Sequence, residues 1–483
     1  MNLKNIVHIL GIFIFLIGAA MLPALVISLT LHEAAWTAIG ISALITMGTG
    51  LLLYVFIPRT GERISLTHRE GFVIVTLVWV LASAFGGLPF LLSGVVPTFC
   101  DAFFETMSGF TTTGASIISD LDKTARGILF WRALTHWLGG MGIIILSIAI
   151  LPILGVGGMQ LFKAEIPSPI KDKITPRIAE TAKNLWLVYV AITAVEVVLL
   201  YLGGMSAFDA VCHAFATMAT GGFSTYDASI AHFNSLYIEI VIIFFMFVAG
   251  MNFILHYRLL RGDAKTFFRD PEFHFYGAIV LVSTVIITLD LRFHYFSNLG
   301  ESIRYAAFQV VSIMTTTGFA TYNFDQWPAP SKFILVLLMF IGGCAGSTGG
   351  AIKCLRILIV IKQTFIELYR LIHPHAVLSV KISKVAVPPE VVSSIRSFFV
   401  LYIVIAMSAM LALTLLGVDM VTSISGVAAT LGNVGPGLGL VNASSTYFEL
   451  PQAAKWLFSL CMLLGRLEIY TVLVLLVPDF WKK

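Results

Sequence analysis

The chain has 483 residues, 58% of them hydrophobic and only 12% charged, with a formal net charge of +4 and a mean hydropathy of +0.93. A water-facing surface cannot be built from that mixture, so the chain belongs in a bilayer and has no separate soluble domain. The Lys and Arg residues lie in short loops between apolar runs, a pattern of asymmetry across a membrane rather than of nucleic-acid binding.

The first apolar run, Ile6 to about Leu31, has no small-residue cleavage pattern after it and a second run follows at once, so it reads as a retained helix. Runs near the roughly 20 residues that a spanning helix needs recur to the end. They cover 7–31, 36–57, 71–95, 127–155, 185–204, 234–260, 274–291, 331–366, 395–417 and 453–477. Ten transmembrane helices and no strand pattern predict an all-α integral membrane fold. Basic residues gather at both ends and at alternate junctions: Lys4; Arg59, Arg63 and Arg69; Lys163, Lys171, Lys173, Arg177 and Lys183; Arg258, Arg261, Lys265 and Arg269; Lys381, Lys384 and Arg396; Lys482 and Lys483. The opposite loops carry few, among them Lys123, Arg126 and Arg304. The positive-inside rule then places both termini in the cytoplasm. Cys100, Cys212, Cys344, Cys354 and Cys461 are scattered without a CxxC pair, which indicates neither a disulfide framework nor a zinc site.

Each of four poorly charged loops holds about ten largely apolar residues, too short to cross a bilayer, followed by a Gly-containing turn. Aligned on one glycine they read DAFFETMSGFTTTGAS (101–116), DAVCHAFATMATGGFS (209–224), YAAFQVVSIMTTTGFA (305–320) and TSISGVAATLGNVGPG (422–437). Thr112, Thr220 and Thr316 share a column with Asn433, and a small residue follows the first position in all four: Ala102, Ala210, Ala306 and Ser423. The glycines are 108, 96 and 117 residues apart (222 − 114, 318 − 222, 435 − 318), so the chain is an initial hairpin (1–66) and four repeats (67–165, 166–262, 263–370, 371–483). All four turn on the same side, which makes them parallel copies about an axis along the membrane normal.

Non-helical backbone at membrane depth survives only where protein covers it or where it lines a wet cavity. Four such loops at similar depth predict a shared pore. Glycine frees the backbone to turn carbonyls toward an axis, where they replace a cation's water shell, and Thr adds a hydroxyl oxygen. The C-terminal ends of the half-helices, about −0.5 charge each, favour a monovalent cation at the same point. The alternative is that Gly and Thr merely allow close helix packing.

With GGMGIIIL (139–146), ILPILGVGGMQLFKAE (150–165) and IGGCAGSTGG (341–350), the quartet of loops resembles the Trk/Ktr/HKT superfamily of potassium transporters, over essentially the whole chain. The resemblance implies a channel-like K+ uptake subunit with no organic cofactor of its own, a homodimer in the inner membrane, regulated by a cytosolic ring of nucleotide-binding subunits of the TrkA type. It makes Gly114, Gly222, Gly318 and Gly435 the filter glycines. Thr111, Thr112, Thr113, Ala219, Thr220, Gly221, Thr315, Thr316, Thr317, Gly432, Asn433 and Val434 then supply neighbouring oxygens. The fourth loop departs most, with Asn433 and Pro436, and its geometry is the one the pattern constrains least.

Two features bear on gating. Gly342, Gly343, Gly346, Gly349 and Gly350, with Ser347 among them, put five glycines into nine residues of the eighth run. At about 1 kcal/mol each in a helix interior, they predict a break at mid-membrane, which is either a passive kink or, as the resemblance implies, a loop that blocks the pore below the filter. Arg466 lies inside the last apolar run, where a guanidinium costs at least about 3 kcal/mol unless it faces a cavity or a partner. Glu468 is near in sequence but points to a different helix face; the two readings are an ion pair with a nearby carboxylate and, as the resemblance favours, a pore-facing Arg466 in contact with the 342–350 loop.

Asp101, Glu105, Asp209 and His213 have two readings, as attractors of cations to the outer mouth or as residues that stabilise the N-terminal ends of the half-helices. Gly155-Val-Gly157-Gly158 follows a span and reads as a helix end, not a nucleotide loop. The Lys/Arg-rich segments at 163–183, 258–272 and 367–394 are candidate docking surfaces. A carrier coupling potassium to H+ or Na+ is the alternative function; it calls for inverted repeats and a mid-span acid, and the reading of the spans finds neither. No catalytic constellation points to an enzyme.

Overall fold

The apolar runs fold as helices because a chain in lipid has no water to satisfy its backbone, and only intrahelical bonds satisfy it within one segment. The structure is a computed structural model that describes residues 1–57, 67–145, 174–383 and 385–482, with the side chains of 143–145 and 174–179 outside the description. The end of the fourth run, the 150–165 motif, the 155–158 glycines, most of the 163–183 segment and the basic residues Arg59 and Arg63 therefore lie outside the described residues.

The initial hairpin pairs helices Leu3–Ala20 and Leu22–Thr30 with Ala35–Phe56. Glycines set the approach of the two arms: a Cβ on Gly11 would lie 2.9 Å from the Gly50 carbonyl oxygen, and one on Gly18 would meet Met47. This is small-residue packing of the kind that joins helices in lipid, where the hydrophobic effect does not distinguish a neighbour from a tail.

Four short helices follow at intervals: Phe99–Phe110, Ala207–Met218, Leu299–Met314 and Met420–Leu431. Their starts are written locally, by Thr98, Ser206, Asn298 and Asp419, whose side chains accept the amides of Asp101 (3.2 Å), Asp209 (3.1 Å), Gly300 (2.9 Å) and Thr422 (3.0 Å). At about 1.5 Å per residue none spans the roughly 30 Å hydrocarbon core. Each lies between other helices of its own repeat, so the fold is an all-α membrane architecture of an initial hairpin and four helix/loop/helix units. The small exception is a two-stranded antiparallel hairpin, Lys381–Ile382 with Val385–Ala386, Lys381 opposite Ala386.

Among the described residues three runs are interrupted or sharply bent, while the turns at Met21 and Gly87 leave Leu3–Thr30 and His68–Leu92 as single spans. The break inside 331–366 falls as expected, between Ala329–Met339 and Cys354–Ile372. The runs at 234–260 and 453–477, read as unbroken, are instead two helices each: Leu236–Ala249 with Phe253–Leu260, bent by 101°, and Gln452–Arg466 with Tyr470–Leu476, bent by 109°. Among the described residues six helices are long and apolar enough to cross alone, or eight if each bent pair is one span. The first bend has a tertiary cause. The carbonyl of Gly250 accepts the amide of Cys344 (2.8 Å), and the amide of Phe253 donates to the Gly346 carbonyl (3.1 Å), so backbone groups freed by one break bond those freed by the other. At the second bend, Glu468 and Ile469 take φ of +55° and +59°, which no sequence pattern announces.

Candidate ion pathway

The four loops share one backbone geometry. After each short helix, Thr112, Thr220, Thr316 and Asn433 turn left-handed, with φ of +53°, +54°, +60° and +54°. Two residues on, Gly114, Gly222, Gly318 and Gly435 do so again, at +83°, +76°, +83° and +102°. Left-handed Thr is an outlier for a β-branched residue and persists only when its surroundings enforce it. Here the enforcement repeats. The amides of Thr113, Gly221, Thr317 and Val434 donate to the carbonyls of Ser108, Ala216, Ser312 and Ala429 at 2.8, 2.8, 2.9 and 2.7 Å. The fourth loop, least constrained by its sequence, has the same turns and the same bond.

The glycines also position the loops against one another. A Cβ on Gly114 would strike the carbonyl oxygen of Gly221, one on Gly222 that of Thr317, one on Gly318 that of Val434, and one on Gly435 that of Thr113. Each glycine thus abuts the carbonyl preceding the next glycine, and the fourth returns to the first. The four loops close into one ring in chain order. The side chains of Thr111, Thr112, Thr113, Thr220, Thr315, Thr316, Thr317 and Asn433 are buried around it, with Ala219 and Val434. Hydroxyls of Thr111 and Thr113 pair at 2.8 Å, as do those of Thr315 and Thr317. Asn433, in place of Thr, donates to the Thr113 hydroxyl and the Met462 carbonyl, both at 3.0 Å.

The acidic residues weighed as cation attractors are bound inside the protein. Asp101 pairs with Lys455 at 2.6 Å, and Asp209 accepts the hydroxyls of Ser206, Thr225 and Tyr226. Glu105 and His213 occupy equivalent repeat positions and hold equivalent partners, the hydroxyls of Ser116 (3.1 Å) and Ser224 (3.0 Å), each two residues past a ring glycine. Glu105 also accepts the amide of Ile117 (2.7 Å) and pairs with Arg132 (2.6 Å), which in turn donates to the Ser224 carbonyl (2.9 Å). One ion pair therefore braces the segments leaving the ring in two repeats. Its signal was present, because Arg132 is a charge within an apolar run as Arg466 is. Glu105→Ala would strand the buried guanidinium, and we expect a loss of about 3–5 kcal/mol, read as a lowered unfolding midpoint in detergent.

The glycine-rich segment lies against the helix C-terminal side of the ring. Gly342 donates to the Ile352 carbonyl (2.9 Å), closing the base of a loop. Near that base the Gly350 amide donates to the Thr316 hydroxyl (2.7 Å), and a Cβ there would strike the Gly432 carbonyl oxygen. A Cβ on Gly349 would stand 3.2 Å from the Thr315 carbonyl oxygen, and the Thr348 hydroxyl reaches the carbonyls of Met218 (3.1 Å) and Ala249 (3.2 Å). Ser347 bonds within the loop, to the Cys344 carbonyl (2.7 Å). Arg466, 2% exposed, donates to the Thr348 carbonyl (2.8 Å) and the Gly139 carbonyl (3.0 Å), while its Nε has no partner among the described residues. Glu468 pairs instead with Arg356 at 2.6 Å, since the chain bends between the two residues. The loop thus meets the ends of three short helices and, through Arg466, the remaining repeat. Sequence reasoning did not single out Thr348, Arg132 or Glu272, which accepts two amides of this region.

The family model described as "TrkH: Cation transport protein" matches residues 39–483. This chain belongs to the TrkH family. The Trk system potassium uptake proteins TrkH of Halomonas elongata and of Escherichia coli K12 are each 44% identical to it, over all of both chains. TrkG of Escherichia coli K12 is 36% identical over 100% of this chain and 99% of its own. The crystal structure of the potassium transporter TrkH from Vibrio parahaemolyticus superposes with a TM-score of 0.92 at 38% identity, covering 100% of each chain. Relatives of the TrkH family are named as transporters, and this member is a multi-pass membrane protein, not an enzyme.

Proposed function

We propose that the chain is a gated potassium-uptake pore of the inner membrane, with both termini cytoplasmic and the four loops acting as one selectivity filter. The observation that carries the reading is the closed ring, in which four copies of one strained turn meet at the C-terminal ends of four short helices. Carbonyls held this way replace a cation's hydration shell, and four helix ends, about −0.5 charge each, exclude anions. Potassium as the ion follows from the names of the relatives. The 342–350 loop with Arg466 is the barrier below the filter, a cytosolic nucleotide-binding subunit of the TrkA type relieves it, and two copies of the chain form the working unit. Repeats 67–165, 166–262, 263–370 and 371–483 each contribute one quarter. No energy source beyond the membrane potential is required, since 100 mV supplies about 2.3 kcal/mol per charge, roughly 50-fold accumulation.

A coupled carrier is the second reading, and one observation favours it. Glu196, within the fifth run, is fully buried, and the Thr217 side chain is the hydrogen-bonding group beside its carboxyl. The expectation that no acid lies mid-span is therefore corrected. Purified protein in a planar bilayer separates the two readings. A pore gives unitary currents that reverse at the potassium equilibrium potential whatever the pH gradient, whereas coupling through Glu196 shifts the reversal with pH and loses the shift in Glu196→Gln.

A further inference from the structure

Glu272 stands on the first turn of helix Pro271–His294, where an acidic residue would ordinarily serve its own helix end. That task is already filled, because Asp270 accepts the amide of Phe273 at 2.7 Å. Glu272 is 5% exposed, and one of its oxygens, Oε1, accepts two amides from a distant part of the chain: Ala345 at 2.6 Å and Leu355 at 2.9 Å. These donors lie on opposite arms of the glycine-rich loop. Ala345 belongs to the arm that enters it, and Leu355 to the first turn of helix Cys354–Ile372, whose own N-terminal residue Lys353 provides no side-chain cap.

The consequences of the two bonds differ. Leu355 is in a helix start with unsatisfied amides, so an acceptor there is favourable in any position of the loop. Ala345 is in irregular backbone, one residue past Cys344, which bonds the Gly250 carbonyl, and three before Thr348, which bonds Arg466. Its amide can reach Glu272 only while the loop lies across the ring. A buried backbone amide left without an acceptor is costly. The bond therefore stabilises the loop's seated position selectively, while the bond to Leu355 anchors the hinge about which the loop would leave.

We propose that Glu272 is the latch of the barrier: it acts on the ion path by holding the 342–350 loop seated through the Ala345 amide, and capping helix Cys354–Ile372 fixes the hinge. It is a positioning residue, not an ion ligand. The proposal rests on the reading of that loop as the gate.

The test uses full-length protein in planar bilayers without its regulatory subunit, and compares wild type, Glu272→Ala, Glu272→Asp, Glu272→Gln and a deletion of 342–350. Glu272→Ala and the shorter Glu272→Asp should raise regulator-free open probability about tenfold, as expected for loss of a buried hydrogen bond made in only one of two states. Glu272→Gln should stay closed like wild type, since a single amide oxygen can accept both donors. Conductance and cation selectivity of the opened variants should equal those of wild type, which a merely unfolding variant would not preserve. A wild-type closed state in Glu272→Ala and Glu272→Asp, beside an opened deletion, overturns the latch and leaves the gate. A deletion that stays closed overturns the gate and the latch with it. Glu272→Gln as open as Glu272→Ala overturns the role of the shared oxygen.

Discussion

Gly318→Ser will abolish potassium selectivity while leaving the protein inserted and helical. The residue sits at φ +83°, where a side chain costs about 1–2 kcal/mol by its chirality alone. A Cβ there would also strike the Val434 carbonyl oxygen of the neighbouring loop and approach Pro436. Since each loop rests on the next, displacing that carbonyl deforms the ring at two repeats, and at least about tenfold loss of discrimination follows from roughly 1.4 kcal/mol of misplacement. Gly277→Ser is the control, because it lies in helix Pro271–His294 with open space about the missing Cβ. Permeability ratios from bi-ionic reversal potentials decide the matter. Unchanged ratios in Gly318→Ser would remove the ring from the ion path.

Deleting 342–350, or replacing Arg466 by Ala, will raise current in the absence of the regulator, and the two changes act differently. The deletion removes backbone that fills the space between the ends of three short helices. Arg466→Ala removes a fixed positive charge: two unit charges about 8 Å apart at an effective dielectric near 20 repel by about 2 kcal/mol, roughly 30-fold in the occupancy of a cation. It also releases the Thr348 and Gly139 carbonyls that the guanidinium holds. Arg466→Lys keeps the charge but loses the fork that reaches both carbonyls. It should therefore fall between wild type and Ala in regulator-free open probability, measured from single-channel records. Wild-type currents in both the deletion and Arg466→Ala would end the barrier reading.

Much of this molecule is legible before any coordinates. Apolar runs of bilayer length and a 12% charged fraction leave no alternative to membrane helices. The recurring short segment with its glycine reveals four related units because a left-handed turn has few residues that tolerate it, and Gly114, Gly222, Gly318 and Gly435 are those residues. Arg466 announces itself as a charge where charges are expensive. Even so, the Thr column misleads slightly: Asn433 breaks the pattern but takes the same φ, since Asn also visits the left-handed region.

Other features depend on partners far along the chain and leave no local trace. The bend at Gly250–Asn252 exists because the broken backbone finds the 342–350 loop, and neither segment's composition names the other. Glu105 and Arg132 look like a helix-start acid and a stray intramembrane charge until they are seen bracing two loop segments beside the ring. Glu272 reads as an ordinary helix-start acid. What the sequence by itself determined was the solvent of this protein, the number of its repeats and the residues at which its backbone turns, because these follow from hydropathy and from the steric limits of single residues. Only the tertiary structure decided that the four turns close into one ring, and that Glu272 bonds the broken helix beside it. Closure is a relation among carbonyls and missing Cβ atoms far apart in the chain, and such relations arise from packing, not from local preference.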